Sequence, residues 1–128
     1  MLINQLSVFM ENKEGRLEQV LETLKEGNIN INSLSLAETT DYGLLRMIVS
    51  DPEAGKKALR EKGFSAMLTP VLAVDVADEV GQLQVVLTKI TQAGINIEYV
   101  YSMKAGAEGA TIIIRTSDLA KTEEVLKA

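Results

Sequence analysis

The amino-acid sequence predicts an α+β protein built from two tandem βαββαβ units, each an antiparallel sheet with its helices on one face. Three observations lead to this prediction. The chain repeats itself, short apolar runs alternate with helical stripes inside each repeat, and Gly, Asn and Asp stand at the junctions between them. Hydrophobic residues make up 46% of the 128 residues and aromatic residues only 4%, so the core must be mainly aliphatic.

The repeat is visible when the sequence is shifted against itself by 66 positions. Gly15 then falls on Gly81, and the Ile-Asn-Ile of residues 29–31 falls on residues 95–97. With one inserted residue in the next loop, Ser-Asp at 50–51 falls on Ser-Asp at 117–118. Chance matches between apolar residues do not explain this order of Gly, Asn and Ser-Asp. We therefore predict a duplicated unit, with repeats at residues 1–69 and 70–128.

Apolar and β-branched runs predict the strands of each repeat. Turn residues at 39–43 and 104–109 separate the second strand of each repeat from the third. If its strand is regular, Tyr99 shares a sheet face with Ile97. The predicted strands are residues 5–10, 31–38, 44–50 and 65–69 in the first repeat and residues 71–76, 95–103 and 111–116 in the second.

Two helices are predicted in each repeat. The first helix of each has an apolar stripe at helical spacing, which faces a core, and a Gly near its end. Asp51 and Ser117 are the expected N-caps of the second helices, and Pro52 suits the first helical position. The stripes consist of Leu17, Val20, Leu21 and Leu24 in the first repeat and Leu83, Val86, Leu87 and Ile90 in the second.

The element order, βαββαβ followed by βαββα, is typical of ferredoxin-like units. The second repeat lacks a fourth strand, because the counterpart of Phe64 would fall beyond Ala128. Residues 71–76 should therefore leave an unpaired apolar strand edge, which favours association. We expect a second copy of the chain to cover this edge and give a homodimer. The alternative is a natural chain that continues past Ala128.

Composition excludes several classes of function. The formal charge of −5 and the pI near 4.8 argue against a nucleic-acid partner. The chain has no Cys and no His, which removes thiol nucleophiles, Cys/His zinc sites and the commonest general base. We expect no metal and no cofactor. No secretory signal or membrane-length apolar segment is present, so we expect a cytoplasmic protein without a membrane partner.

In each repeat, the loop after the first strand and the start of the first helix have the groups needed to hold a free amino acid. A Gly between strand and helix lets the backbone bend tightly and lets another group approach closely. The helix start behind it offers unpaired N–H groups that suit a carboxylate. The amides of Asn12 and Asn30 can pair with a carboxylate or an ammonium group, and Asp78 can pair with an ammonium group.

Residues 11–31 and 77–100 resemble the signature of the ACT domain, a βαββαβ regulatory module that binds amino acids and other small metabolites. The matching features are the polar loop after a strand, the Gly-x-Leu that opens a helix, and the Ile-Asn-Ile before the second strand. The spacing of Gly15 to Asn30, repeated as Gly81 to Asn96, makes the resemblance specific. It covers nearly the whole chain, as a tandem pair.

The resemblance also implies a site. In members similar to phosphoglycerate dehydrogenase, the ligand bridges an Asn of the first loop and the second-strand Asn of a facing domain. Asn12 matches the first Asn, whereas the second repeat has Asp78 at that position. Glu14 and Val80 replace a Pro that is common before the Gly. The candidate ligand-binding residues are Asn12, Lys13, Glu14, Gly15, Asn30, Asp78, Gly81 and Asn96.

Each candidate residue also has a purely structural interpretation. Gly15 and Gly81 could serve close packing of helix against sheet. Asn12 could cap the first helix. Asn30 and Asn96 could be there because Asn tolerates unusual backbone angles at a turn.

Three functions are compatible with the predicted fold. The first is a regulatory protein that senses a free amino acid and reports to a partner, such as an enzyme, which the sequence does not name. The second is an assembly module without a ligand. The third is an enzyme similar to acylphosphatase, but the loops after the first strands are acidic rather than phosphate-cradling, so we expect no catalysis. RNA binding on this topology would require exposed aromatic residues in a basic field. This acidic sequence, with only 4% aromatic residues, does not provide them.

Overall fold

The computed structural model describes residues 1–106 and 109–127. The described chain forms two compact units, residues 4–69 (the first unit) and residues 1–3 with 70–128 (the second unit). The elements in chain order are β1 (Leu2–Glu11), α1 (Arg16–Glu26), β2 (Ile31–Glu38), β3 (Tyr42–Val49), α2 (Pro52–Glu61), β4 (Ser65–Val76), α3 (Gln82–Gln92), β5 (Ile97–Gly106), β6 (Gly109–Thr116) and α4 (Leu119–Lys127).

The first unit has the strand order β2-β3-β1-β4, with antiparallel pairing of β3 to both β1 and β2. Leu6 and Val8 of β1 lie opposite Met47 and Leu45 of β3, so these four side chains share one sheet face. Both helices cover that face. The predicted ferredoxin-like α+β fold is confirmed.

The core of the first unit is aliphatic, as the composition predicts. Val20 and Leu24 of α1 and Leu59 of α2 are fully buried against the same sheet face. Full burial of such a side chain contributes about 1.5–3 kcal/mol. The predicted stripe on α1 is therefore the surface that fixes the helix to the sheet, with Leu17 at its margin.

The second unit has the order β5-β6-β4, with residues 1–3 beside β4. Its core joins Ile112 and Ile114 of β6 to Ile90 of α3, with Val125 and Leu126 of α4 packed against it. This is the arrangement of the first unit, with both helices on one sheet face. Residues 1–3 take the place that the fourth strand has in the first unit.

The edge of residues 71–76 is not unpaired, so that prediction is wrong. The backbone N–H of Ala73 donates to the carbonyl of Met1 at 2.9 Å, and the Met1 ammonium donates to the carbonyl of Ala73 at 3.2 Å. The Met1 ammonium also lies 3.8 Å from a carboxylate oxygen of Glu123. The missing strand is supplied by the amino terminus, 72 residues away in sequence.

The predicted strands at residues 65–69 and 71–76 are one strand, β4, which runs through Pro70. Proline has no N–H to donate to a strand ladder, and it therefore usually interrupts a central strand. Here the Pro70 carbonyl accepts a hydrogen bond from Arg115 Nη1 at 2.6 Å. The strand thus continues across the proline, with an arginine side chain bonded to its carbonyl oxygen.

Both edge strands contain a bulge that the sequence did not reveal. The pairing shifts between Ile31 and Ser33 of β2 and between Ile97 and Tyr99 of β5. Ile97 consequently lies opposite Thr116, whereas Tyr99 lies opposite Arg115. The extra residue of a bulge moves the following side chains to the other sheet face. The expectation that Tyr99 and Ile97 share a face is therefore wrong.

The second helices begin with aspartate caps. Asp51 Oδ1 accepts from the Ala54 amide at 3.1 Å, as predicted. In α4 the cap is Asp118, whose Oδ1 accepts from the Lys121 amide at 3.0 Å. The prediction of Ser117 as this cap is wrong, because the Ser117 hydroxyl accepts from the backbone amide of Asn96, the residue before β5. In the turn predicted at 104–109, β5 runs to Gly106 and β6 begins at Gly109, while residues 107–108 lie outside the described residues.

A chain that begins at Asn4, produced by cleavage from an amino-terminal tag, should lose the partner strand of β4. We expect the Ala73 amide to exchange with solvent about three- to tenfold faster, the effect of one net hydrogen bond. Hydrogen exchange followed by NMR measures this, with the Leu45 amide of the first unit as an internal reference.

A chain with Gly-Ser added before Met1 is the matched control. It keeps residues 1–3 and displaces only the ammonium, whose exposed ion pair contributes little. Near-native protection of Ala73 is expected in this control. Unchanged protection in the chain that begins at Asn4 would contradict the assignment of residues 1–3 as a strand of the second unit.

Candidate functional site

Gly15 and Gly81 occupy the same position at the starts of α1 and α3. Both have a left-handed backbone, with φ of 80° and 83°, which side chains with a Cβ adopt at a cost. A Cβ built on either residue meets no atom within 4 Å. The glycines are therefore required by the backbone turn and not by close packing of helix against sheet.

The two glycine-started helices have no side-chain cap, in contrast to α2 and α4 with their aspartates. The Arg16 amide donates back to Lys13 and the Gln82 amide to Glu79, each at 3.2 Å. The next two amides in each helix have no acceptor among the described residues. These four donors are the amides of Leu17, Glu18, Leu83 and Gln84.

Asn12 connects its loop to the β2–β3 hairpin. Its Nδ2 donates to the carbonyls of Thr39 at 3.1 Å and Thr40 at 3.3 Å, and its backbone amide donates to Asp41 at 2.8 Å. It does not cap α1. The amide hydrogens of Asn12 are thus used within the unit, which leaves the side-chain oxygen for any further partner.

The other loop candidates are exposed. Lys13 donates its backbone amide to the Glu11 carbonyl at 2.9 Å, and Glu14 precedes the glycine with its side chain in solvent. Asp78, at the position equivalent to Asn12, makes no hydrogen bond or ion pair with a described residue. The loop of the second unit therefore presents a free carboxylate where the loop of the first unit presents a bound amide.

Asn30 and Asn96 have a structural role that the sequence analysis missed. The Asn30 amide donates to Ser50 Oγ at 2.9 Å, and the Ser50 amide donates to the Asn30 carbonyl at 2.9 Å. Asn96 and Ser117 exchange the same two bonds, at 3.2 and 3.0 Å. The repeated Ser-Asp was the signal for this contact, because its serine and its aspartate each have a fixed partner in both units.

The side chains of these two asparagines differ in their partners. Asn30 Nδ2 donates to Asn32 Oδ1 at 3.0 Å. The Asn96 side chain makes no hydrogen bond to a described residue. Both residues are exposed, and both side chains can therefore reach a ligand without leaving a buried group unsatisfied.

Within one unit the candidates form two separate groups. The loop at 12–15 precedes α1 and Asn30 follows it, and a helix of 11 residues is about 16 Å long. The same distance separates Asp78 and Gly81 from Asn96 across α3. Within one unit, a small ligand can therefore contact either the loop or the asparagine, but not both.

Two other kinds of feature are absent from the described residues. No group of three or more acidic residues among the described residues could hold a metal ion. In the part of the chain that the structure describes, no helix has the length and apolar character needed to cross a membrane.

Comparison with known proteins identifies the family. The sequence matches the family described as an ACT domain pair over residues 1–128. The chain belongs to the ACT domain family. The predicted resemblance is confirmed, and the glycine-started helices and Ile-Asn-Ile segments are those of a pair of ACT domains.

Solved structures agree with this assignment. Protein BT0572 from Bacteroides thetaiotaomicron is 43% identical with a TM-score of 0.94, covering 99% of this chain and 88% of that one. The regulatory subunit of aspartate kinase from Thermus thermophilus is 14% identical with a TM-score of 0.66, over 99% of this chain and 95% of that one. The Thermus flavus subunit is 15% identical with a TM-score of 0.66, over 99% and 92%. The similarities to the two kinase subunits show the fold. No curated protein matches the sequence.

Replacing Gly15 or Gly81 by Ala should lower the free energy of unfolding by about 1–2 kcal/mol, the cost of a left-handed backbone for a residue with a Cβ. Asn tolerates this conformation better, so Gly15→Asn should cost less. Urea denaturation measures all three variants. If Gly15→Ala were neutral or stabilising, the backbone requirement would be refuted, because nothing near the position crowds a Cβ.

Proposed function

We propose that this ACT domain pair is a cytoplasmic regulatory protein that senses a free amino acid, has no catalytic activity of its own, and transmits the bound state to a partner, such as an enzyme. The observation that carries this proposal is the uncapped helix start that follows a left-handed glycine in both units. Each presents two unpaired backbone donors at the positive end of a helix. Such an arrangement suits a carboxylate.

The surrounding groups suit the rest of an α-amino acid. Carboxylate oxygens of the ligand would accept from the amides of Leu17 and Glu18, or of Leu83 and Gln84. An amide oxygen such as that of Asn96 can accept from the ligand ammonium group. Asp78 offers a full negative charge for the same purpose, so the loops of the two repeats, residues 1–69 and 70–128, should differ in affinity.

The relatives support a regulatory role. The two Thermus structures of similar fold are regulatory subunits of aspartate kinase. Those proteins share the fold at low identity, so the ligand of this chain is a separate question. The class of ligand follows from the donors and acceptors described above.

We also propose that the chain forms a homodimer through β2. This strand pairs with β3 on one side and is the edge of the first unit. Leu34 and Leu36 are 45% and 40% exposed on it. An apolar strand edge of this kind favours association with another chain. A ligand-free assembly module is the alternative function, and this exposed edge is the observation that favours it.

Screening the twenty amino acids by thermal shift tests the sensor. A ligand present at 100 times its Kd stabilises the folded state by about 2.7 kcal/mol and raises the melting temperature. We expect one L-amino acid, or a chemically related few, to produce this shift. The corresponding amines, which lack the carboxylate, should not. No shift with any amino acid would favour the assembly module.

Asn96→Ala and Asn12→Ala separate ligand binding from folding. Asn96→Ala should leave the melting temperature of the free protein unchanged, since its side chain has no described partner, and should weaken binding by about 1–3 kcal/mol. Asn12→Ala should lower the melting temperature without ligand, because the bonds to Thr39 and Thr40 are lost. Isothermal calorimetry gives the affinities. Unchanged affinity in both Asn96→Ala and Asn30→Ala would refute this placement of the ligand.

Sedimentation velocity at micromolar concentration tests the homodimer. The native chain should sediment as a dimer, and Leu34→Lys combined with Leu36→Lys should give a monomer, because charges on an edge strand oppose pairing. Val80→Lys, at another exposed apolar residue, is the control and should remain dimeric. A monomeric native chain would contradict the proposal.

A further inference from the structure

We infer that the first unit carries a second ligand site, formed by side chains beside the start of α1 and not by its free backbone amides, that takes a small aromatic carboxylate. The site is a cavity of about 180 Å³ at one end of the sheet. It lies between the end of β1, the start of β3, the first residue of α1 and the turn that joins α2 to β4.

Aromatic rings form the walls of this cavity. Phe9 and Tyr42 are stacked at a centroid distance of 5.0 Å, and each is 49% exposed. Phe64 lines the cavity from the α2–β4 turn and packs against the core of the first unit. The whole sequence has three Tyr and two Phe, so three of its five aromatic rings line this one cavity.

Two cationic side chains, Arg16 and Lys62, line the cavity together with the rings. The Arg16 guanidinium lies 5.9 Å from the centroid of Phe64, within the range of a cation–π contact. Its ion pair with Glu11, at 3.8 Å, is long and solvent-exposed, and such pairs are weak enough to be exchanged for a ligand carboxylate. Lys62 is exposed on the cavity wall and makes no ion pair with a described residue. The lining thus has two positive charges and one negative charge.

The fold does not require these side chains. The second repeat keeps the left-handed Gly, the Asn–Ser contact and the Asp cap, yet it has Asp75 in place of Phe9, Gln82 in place of Arg16 and Gly109 in place of Tyr42. The half-exposed pair of Phe9 and Tyr42 leaves apolar ring surface in contact with water, which is unfavourable in free energy. These rings and this cation lie together in one unit and are not needed for the fold, which supports a binding role for them.

The size and charge of the cavity define the ligand. At about 180 Å³ the cavity is smaller than the roughly 300–1,000 Å³ of a pocket for a drug-sized ligand. Phe9, Tyr42 and Phe64 can offer ring surface to a single planar ring, and Arg16, in the same lining, has a planar fork that matches a carboxylate. A ring joined to a carboxylate by a short linker therefore fits, and phenylacetate is the simplest probe.

NMR titration with three probes tests the chemistry. Phenylacetate has both ring and charge, acetate has the charge alone, and 2-phenylethanol has the ring alone. We expect saturable shifts at the amides of Phe9, Tyr42 and Phe64 with phenylacetate, at a Kd near about 1 mM, a value typical of a weak small ligand. Acetate and 2-phenylethanol should bind at least about tenfold more weakly. The absence of saturable shifts with phenylacetate, or equal shifts with acetate, would overturn the site.

Single substitutions test which side chains bind phenylacetate. Arg16→Gln, the residue of the second repeat, should weaken phenylacetate binding about tenfold, and Phe9→Leu about threefold. Lys57→Gln removes an exposed cation of α2 outside the cavity and should have no effect. Asn96→Ala, which disables the proposed amino-acid site, should also leave phenylacetate binding unchanged. Loss of binding in Asn96→Ala, or full binding in Arg16→Gln, would refute a separate cavity site, whatever the amino-acid screen shows.

Discussion

The exchange of hydrogen bonds between Asn30 and Ser50, repeated between Asn96 and Ser117, determines how each edge strand enters its sheet. In each unit it joins the asparagine just before the edge strand to the serine just after the neighbouring strand. The bulge lies within the first three residues of the edge strand. The register set there places Leu34 on the helix side of β2 and Tyr99 on the opposite face of β5. It also holds the asparagine backbone, so that each side chain is left to other uses.

Most of the secondary structure was predictable because it follows local patterns. The stripe of Val20 and Leu24 has the helical period, and the aliphatic runs of β1 and β3 have the composition of buried strands. What local patterns could not show are the features that depend on distant residues. Pro70 separates two predicted strands, but β4 runs through it, and Arg115, 45 residues away, donates to its carbonyl. The partner of β4 was expected in a second copy of the chain and lies at Met1.

The candidate site was predictable in part. The left-handed glycines were visible as a repeated Gly before an apolar helical stripe, and their free amides follow from the lack of a capping residue. The hairpin contact of Asn12 was not visible, because its acceptors are backbone carbonyls, which every sequence has. The aromatic cavity was also missed, since Phe9, Tyr42 and Phe64 are far apart in sequence and only the sheet register and the α2–β4 turn bring them together.

The use of Met1 as a partner for Ala73 has a consequence for synthesis on the ribosome. Met1 pairs with a residue that is made 72 positions later, and the helices and strands of residues 4–69 can form in the meantime. Closing so long a segment costs chain entropy before any bond is gained. We expect the nascent chain to complete its first unit while residues 1–3 are still unpaired, and these residues to join their sheet only after β4 has been made.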